Sequence, residues 1–497
     1  MLRRASFLVL CAAPAALATA GPHHDLELFE PERFSVSLDA SYSLDVSSVL
    51  VADNGFVDVI YNVSAPAAGD WIGAYSPASS TANVRSVVPV KWVPLDRAVA
   101  DYVGGAGVGA ARFQLIDMRA DYAFCIFTGG WRNGTMRACA PSAVAIVNAG
   151  APRRARVLAS AREGALNVAV TAASPTGAGG VAPTLWYSTD AGGEKVAATL
   201  LSDTQVARED MCNFPATTYG FRDLGHTFVF EIPDALAAAS ATRRLFYTYG
   251  YGADEQSEEK ELRVPPQRGA TARDTRLVIF GDFGRGTVDY FAGGVSTWSR
   301  FGPPEYTPPA YNTTMQLLGE VQADGEAIDA IWCIGDISYA SGYLAVWDIF
   351  LAMIEPLSER IAMAVTMGNH EAGVIGGPDA PKNPTFLDSN DSGGECSVAT
   401  AVLLPLPSLP APSPSPSSTL PLPYYTWTVG RVVMVALATE DDFRLGSPQW
   451  QWLQATLGAI DRSVTPFVVV SMHRPMYIAS TQTHPTHPPA RPPATNP

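Results

Sequence analysis

After residue 273 the hydrophobic pattern of this 497-residue chain changes character. Five short apolar runs, Leu277–Phe280, Ala330–Ile334, Met363–Thr366, Val432–Leu437 and Phe467–Ser471, have the length and composition of strands. Between them Thr313–Glu326 and Leu344–Arg360 carry helical spacing. A further helix is signalled by Ser447 as N-cap, Pro448 at the first position and Trp450, Leu453, Leu457 and Ile460 on one face. Strands alternating with amphipathic helices define an α/β layer.

Upstream, from about residue 22 to 265, segments such as Phe56–Tyr61 and Arg112–Ile116 are short, alternating and punctuated by Gly, Pro and Asp, as in β-sandwich modules. A boundary near Ala151-Pro152 divides them into modules at 21–150 and 151–266, followed after the polar linker Asp254–Arg273 by the α/β region at 267–480. Such a length exceeds one hydrophobic core, and an α+β multidomain chain is expected. Leu403–Pro423, rich in Pro, Ser and Leu, reads as a surface insertion, and the Pro/Thr/His tract 481–497 as a disordered tail.

The first twenty residues place Arg3 and Arg4 before the apolar run Phe7–Leu17 and the small residues Ala18, Thr19 and Ala20, the pattern of a cleavable secretory signal. No other stretch is long and apolar enough to span a bilayer, and the net charge of −15 argues against sequence-independent nucleic-acid binding. Removing the signal takes Cys11 with it and leaves five cysteines, so at least one stays unpaired within the chain. Cys333, inside an apolar run, is the expected buried thiol, and Cys125 with Cys139 a plausible local bridge. Asn-x-Ser/Thr sites at Asn62, Asn133, Asn312 and Asn390 are compatible with glycosylation in the secretory route.

Four of the five strands run directly into residues able to bind metal, where an open α/β sheet places its ligand site. These are Gly281-Asp282-Phe283-Gly284, Gly335-Asp336-Ile337-Ser338-Tyr339, Gly368-Asn369-His370-Glu371 and the His473 of Met472-His473-Arg474-Pro475. Each element alone has an ordinary explanation as a turn or a structural histidine. Together, in this order, they resemble the ligand motifs of the purple acid phosphatases. Asp70–Gly73, Arg208–Cys212, Gly335–Gly342, Ser392–Cys396 and His473–Tyr477 extend the resemblance to large plant-type members with an extra N-terminal module.

The resemblance implies fibronectin-III-like β-sandwich modules, with 151–266 as the purple acid phosphatase N-terminal domain, ahead of a calcineurin-like metallophosphoesterase domain. It implies an acid phosphatase that hydrolyses phosphate monoesters with a binuclear centre of Fe(III) and divalent zinc, manganese or iron. Asp336 would bridge, Asp282 and Tyr339 would bind the ferric ion, and Asn369 and His473 the divalent one. Hard oxygen anions suit Fe(III), and the neutral amide and imidazole suit its partner. His370 would hold the phosphate and assist leaving-group protonation. Glu371 could orient His370 or be a solvated charge. The alternatives are a phosphodiesterase or nucleotide pyrophosphatase with the same metals, or a catalytically impaired secreted binding protein. The family's closing Gly-His-x-His element has no match here, since His484 and His487 sit in Thr-His-Pro-Thr-His-Pro, and a C-terminally truncated chain is therefore expected.

Overall fold

The computed structural model describes residues 6–9, 31–130, 133–177, 180–252, 255–270, 274–284, 309–322, 328–372, 391–407 and 423–475. Residues 31–150 form a sandwich. Its five-stranded sheet has the order Ser35–Val36, Thr135–Cys139, Ala123–Thr128, Trp71–Tyr75, Lys91–Pro94, and its three-stranded sheet pairs Tyr42–Val46, Gly55–Val63 and Val108–Leu115. The two-residue period decides which face is buried. Along Gly55–Val63 the side chains of Val57, Val59, Tyr61 and Val63 enter the core, while Phe56, Ile60 and Asn62 face out. Cys125 and Cys139, register partners on neighbouring strands, are disulfide-bonded, and Cys333 is a buried free thiol, both as expected. Cys212 and Cys396 form a second bridge.

The second module is joined to the α/β region by more than a linker. Its strands Arg153–Ala159, Leu166–Ala172, His226–Ile232 and Thr199–Gln205 continue one eight-stranded sheet with β1 (Arg276–Phe280), β2 (Ala330–Cys333) and β3 (Met363–Val365). The join is the parallel pairing of Leu158 with Met363, and a single apolar core runs across it from Ala155 to Ala436. Part of the expected polar linker is itself a strand, Lys260–Arg263, paired with Arg244–Gly250. Of the expected signal segment only the backbone of Ser6–Val9 is described, in parallel register with Arg276–Ile279. The 481–497 tail lies outside the described residues, as does most of the Leu403–Pro423 tract. The tract's opening residues are not a surface insertion: Leu403 ends a helix, and with Leu404 and Leu406 it packs into the core.

The five expected strands form, but in two sheets rather than one. β1, β2 and β3 are parallel, whereas β4 (Tyr425–Val429), β5 (Val432–Leu437) and β6 (Phe467–Met472) make a separate three-stranded sheet. β4 and β5 are joined at Gly430 and Arg431 as an antiparallel hairpin, a pairing that needs no crossover helix. Besides the short helix Val398–Leu403, the helices described in this region are α1 (Pro309–Gln322), α2 (Ala345–Ser358), the single turn α3 (Asn369–Ala372) and α4 (Pro448–Ala459).

α2 is held by the sandwich as well as by its own domain. Ile349 and Ala352 enter the sandwich core. Arg119 grips Asp348 with two bonds of 2.8 and 2.6 Å, and buried Arg154 reaches Asp53 at 2.7 Å and Glu355 at 2.8 Å. Burying these charges is tolerable because each guanidinium meets a carboxylate in fork geometry. The N-terminal module thereby fixes the helix that follows the Gly335–Tyr343 loop.

α4 begins as expected, with the Ser447 hydroxyl accepting the Trp450 N–H at 3.2 Å and Pro448 in the first turn. Its expected apolar face is corrected, because Ile460 lies beyond the helix and Leu457 is 44% exposed. The helix is rolled by Gln449, whose side-chain amide is buried against the backbone of Ala438, accepting from its N–H at 2.7 Å and donating to its carbonyl at 2.9 Å. Ser447→Ala should lower unfolding free energy by about 1 kcal/mol, the usual worth of an N-cap; an unchanged urea midpoint would contradict the cap.

Candidate metal centre

Each candidate ligand sits where a strand gives way to a tight turn. Asp282 follows β1, Asp336 and Tyr339 follow β2, Asn369 opens α3 after β3, and His473 follows β6. Asp282, Asp336 and Tyr339 all have left-handed backbones, with φ of 54°, 52° and 50°. That conformation costs a residue with a Cβ on the order of 1–2 kcal/mol and persists only where the surroundings enforce it. Here the β1 and β2 turns are zipped together: the N–H groups of Asp282, Phe283 and Gly284 donate to the carbonyls of Gly335, Asp336 and Ile337 at 3.0, 2.9 and 3.2 Å.

The second enforcing group is Glu371, which is fully buried. Its Oε2 accepts the N–H of Asp336 at 2.9 Å and of Gly368 at 3.0 Å, and its Oε1 accepts that of Ile337 at 2.7 Å. Burial, then the neighbouring Asp336 charge, push its carboxyl up to about 8. Glu371 is therefore no solvated charge; it ties the turn after β2 to the turn after β3.

Two glycines admit the ligands. At Gly335, with φ of 100°, a Cβ would lie 2.6 Å from His473 Nδ1, and at Gly368 a Cβ would collide with Asp336 Oδ1. Through this gap the second sheet delivers His473. Its Nδ1 donates to the Ile334 carbonyl at 3.1 Å, while Nε2 faces Asn369 Oδ1 at 3.0 Å and Asp336 Oδ1 at 3.2 Å. Both ring nitrogens thus face acceptors, an imidazolium arrangement. Burial opposes that charge, but the Asp336 bond and charge outweigh it and raise His473 to about 9. For Asp336, 4% exposed, burial is likewise outweighed by the bond and charge of His473, and the carboxyl lies below its usual value.

Tyr339 donates its hydroxyl to Asp282 Oδ1 at 2.8 Å. Burial, then the Asp336 and Asp282 charges, drive the phenol far above its usual value. His370 lies against it with ring centroids 4.3 Å apart. The His370 N–H donates to Asp336 Oδ1 at 3.1 Å, its Nδ1 is 3.4 Å from Ser341 Oγ, and its Nε2 is 3.9 Å from Asp336 Oδ2.

All six expected residues therefore converge. The donor chemistry fits two cations: one proton lies between Tyr339 and Asp282, another between His473 and the Asp336 and Asn369 oxygens, and a cation can replace each. Among the described residues, His, Cys, Asp and Glu alone form no group of three able to hold a metal, so Tyr339 and Asn369 are needed to complete the sets. His484 and His487 lie outside the described residues.

Three contributors escaped the sequence reading: the Glu371 clamp, Asp391, which accepts the Asn369 Nδ2–H at 2.8 Å, and Glu395. Glu395 is buried and accepts the Gly342 N–H at 2.8 Å and the Trp347 indole N–H at 2.7 Å. Their adjacency to Asn369-His370 and to the Ser392–Cys396 motif was the available signal; the pairings were not.

Residues 275–492 match the family model of the calcineurin-like phosphoesterases, and this geometry is that of a metallophosphoesterase domain. Residues 40–148, within the first sandwich, match the model described as the Fn3-like domain from purple acid phosphatase. The chain thus carries a calcineurin-like phosphoesterase domain behind an Fn3-like domain of the purple acid phosphatase type, and it is similar over most of its length to plant purple acid phosphatases. It is 28% identical over 468 residues to "Probable inactive purple acid phosphatase 27" of Arabidopsis thaliana, covering 90% of this chain and 71% of that one. It is 29% identical over 213 residues to a nucleotide pyrophosphatase/phosphodiesterase of Hordeum vulgare, 43% of this chain and 50% of that one. The structure of purple acid phosphatase PPD1 from yellow lupin (Lupinus luteus) seeds superposes with a TM-score of 0.71 at 25% identity, covering 87% of this chain and 72% of that one.

Proposed function

We infer that the chain hydrolyses phosphate monoesters at a centre of Fe(III) and a divalent zinc, manganese or iron ion. What carries this is the His473 imidazole, pinned through Nδ1 on a backbone carbonyl so that Nε2 meets Asp336 Oδ1 and Asn369 Oδ1. That is how a metal-binding histidine is oriented, and a nitrogen with two oxygens suits a divalent ion. Asp282 and Tyr339 would offer hard oxygens to the ferric ion, and Asp336 would be the carboxylate available to both ions. Such a pair of cations, when bound, neutralises charge on a phosphate ester and lowers the pKa of water.

The chain's own residues do the rest. Asp336 holds the His370 backbone, Ser341 and the Tyr339 ring flank its imidazole, and Nε2 would be the atom to hold or deliver the leaving-group proton. Two disulfides and the exposed Asn62 and Asn133 support passage through the secretory route. The likeness to the Hordeum vulgare protein supports a second substrate class, diesters or nucleotide diphosphates, and the likeness to a probable inactive member from Arabidopsis thaliana supports a non-catalytic chain.

The test is metal content and a visible spectrum of the full chain, with turnover of a monoester, a diester and a nucleotide diphosphate side by side. A tenfold preference for the diester would remove the monoesterase assignment, and no turnover of any would favour the non-catalytic alternative. Tyr339→Phe should abolish the visible absorption of the iron-loaded chain and cost about 1 kcal/mol of stability, the worth of one hydrogen bond. An unchanged spectrum would make Tyr339 a packing residue.

A further inference from the structure

Asn369 turns one amide toward two different neighbours. Its Oδ1 faces His473 Nε2 at 3.0 Å, and its Nδ2 donates to Asp391 Oδ2 at 2.8 Å. Rotating that amide by half a turn leaves its shape unchanged, so packing does not choose which atom faces the ligand set; only hydrogen bonding does. A rotated amide would aim an N–H, which cannot bind a cation, at His473 Nε2. It would also set a carbonyl oxygen against a carboxylate. In the metal-free arrangement the His473 N–H favours the same orientation; where a cation replaces that proton, Asp391, 22 residues further along the chain, is the group left to select it.

Asp391 can impose this because its segment is anchored by bonds other than the one to Asn369. Ser397 donates its N–H to the Glu371 carbonyl at 2.7 Å, and Gly394 and Gly393 accept from Cys212 and Ala216 at 2.9 and 3.0 Å. The Cys212–Cys396 disulfide and the Glu395 bonds to Gly342 and Trp347 complete the frame. Gly393, with φ of 58°, packs against the Ser341 carbonyl so closely that a Cβ would clash.

We propose that Asp391 is a positioning residue for the divalent metal site, its carboxylate holding the Asn369 amide with Oδ1 toward His473 Nε2. This rests on the two-metal assignment above, so its test needs a readout that does not depend on metal. The full chain, Asp391→Ala and Asp391→Asn are titrated with Mn²⁺ alone, and their iron-loaded visible spectra are recorded. The side-chain amide signal of Asn369 is followed by NMR in metal-free, asparagine-labelled protein. Asp391→Ala should weaken Mn²⁺ binding about 10- to 100-fold, the usual effect of losing a group that orients a ligand, while the visible band at the Tyr339 side persists. Its Asn369 amide signal should lose the shift of a hydrogen-bonded group. Asp391→Asn, whose Oδ1 accepts the same N–H, should restore both.

Unchanged Mn²⁺ affinity in Asp391→Ala overturns the proposal, as does equal loss of affinity and visible band, which marks a merely structural role. If wild type takes up no Mn²⁺, the metal assignment fails, and the amide signal still decides whether Asp391 holds Asn369.

Discussion

Asp336→Asn should reduce phosphate-ester hydrolysis roughly a thousandfold or more, because a neutral amide replaces the one anion facing both halves of the site. Asp336 Oδ1 lies 3.2 Å from His473 Nε2, its carboxylate also borders Tyr339, and against its burial His473 and His370 hold its carboxyl below the usual value, so that it stays ionised. Asparagine is nearly the same size and tolerates the left-handed backbone at φ 52°, so the turn survives the substitution. The loss of activity should therefore be chemical: metal content falls at both positions while the circular dichroism spectrum stays near wild type. Retention of both metals by Asp336→Asn would refute the bridging role.

Glu371→Ala should destabilise the chain by about 4 kcal/mol, from three buried N–H groups left without acceptors at ~1–3 kcal/mol each with partial relaxation. Against a typical unfolding free energy of about 5–15 kcal/mol this is a large fraction. The groups are those of Asp336, Ile337 and Gly368, which belong to two different turns. Urea unfolding in the presence of a chelator separates this from any loss of metal. A variant within ~0.5 kcal/mol of wild type, the range of ordinary surface changes, would mean that the three N–H groups find other acceptors. Glu371→Gln, which keeps one carbonyl oxygen but sets an N–H₂ against a donor, should fall between.

Much of the candidate site was legible because its chemistry is local to strand ends. Asp282, Asp336, Tyr339, Asn369, His370 and His473 each follow an apolar run that becomes a strand, and residue type and order sufficed to select them. Partners distant in sequence were not legible. A lone Glu beside Asn369-His370 reads equally as a surface charge, and only its burial beneath the turns makes it an acceptor of three backbone groups. Periodicity likewise announced α4 but not its roll, since no hydropathy pattern expects the buried face to be led by the amide of Gln449.

What the sequence determined by itself is the set of local elements: a sandwich of period-two strands, a following region of apolar strands and helices, and donors of the right hardness at the strand ends. Apolar spacing and turn chemistry act over a few residues, so they can be read from a few residues. The tertiary structure alone decided that the strands divide between two sheets and that the second module continues the larger one at Leu158 and Met363. It also decided that α2 is clamped by Arg119 and Arg154 from the upstream half, and that Asn369 is oriented from Asp391. These depend on which surfaces meet and which buried polar groups then require partners, and complementarity between distant segments leaves no periodic trace in either one.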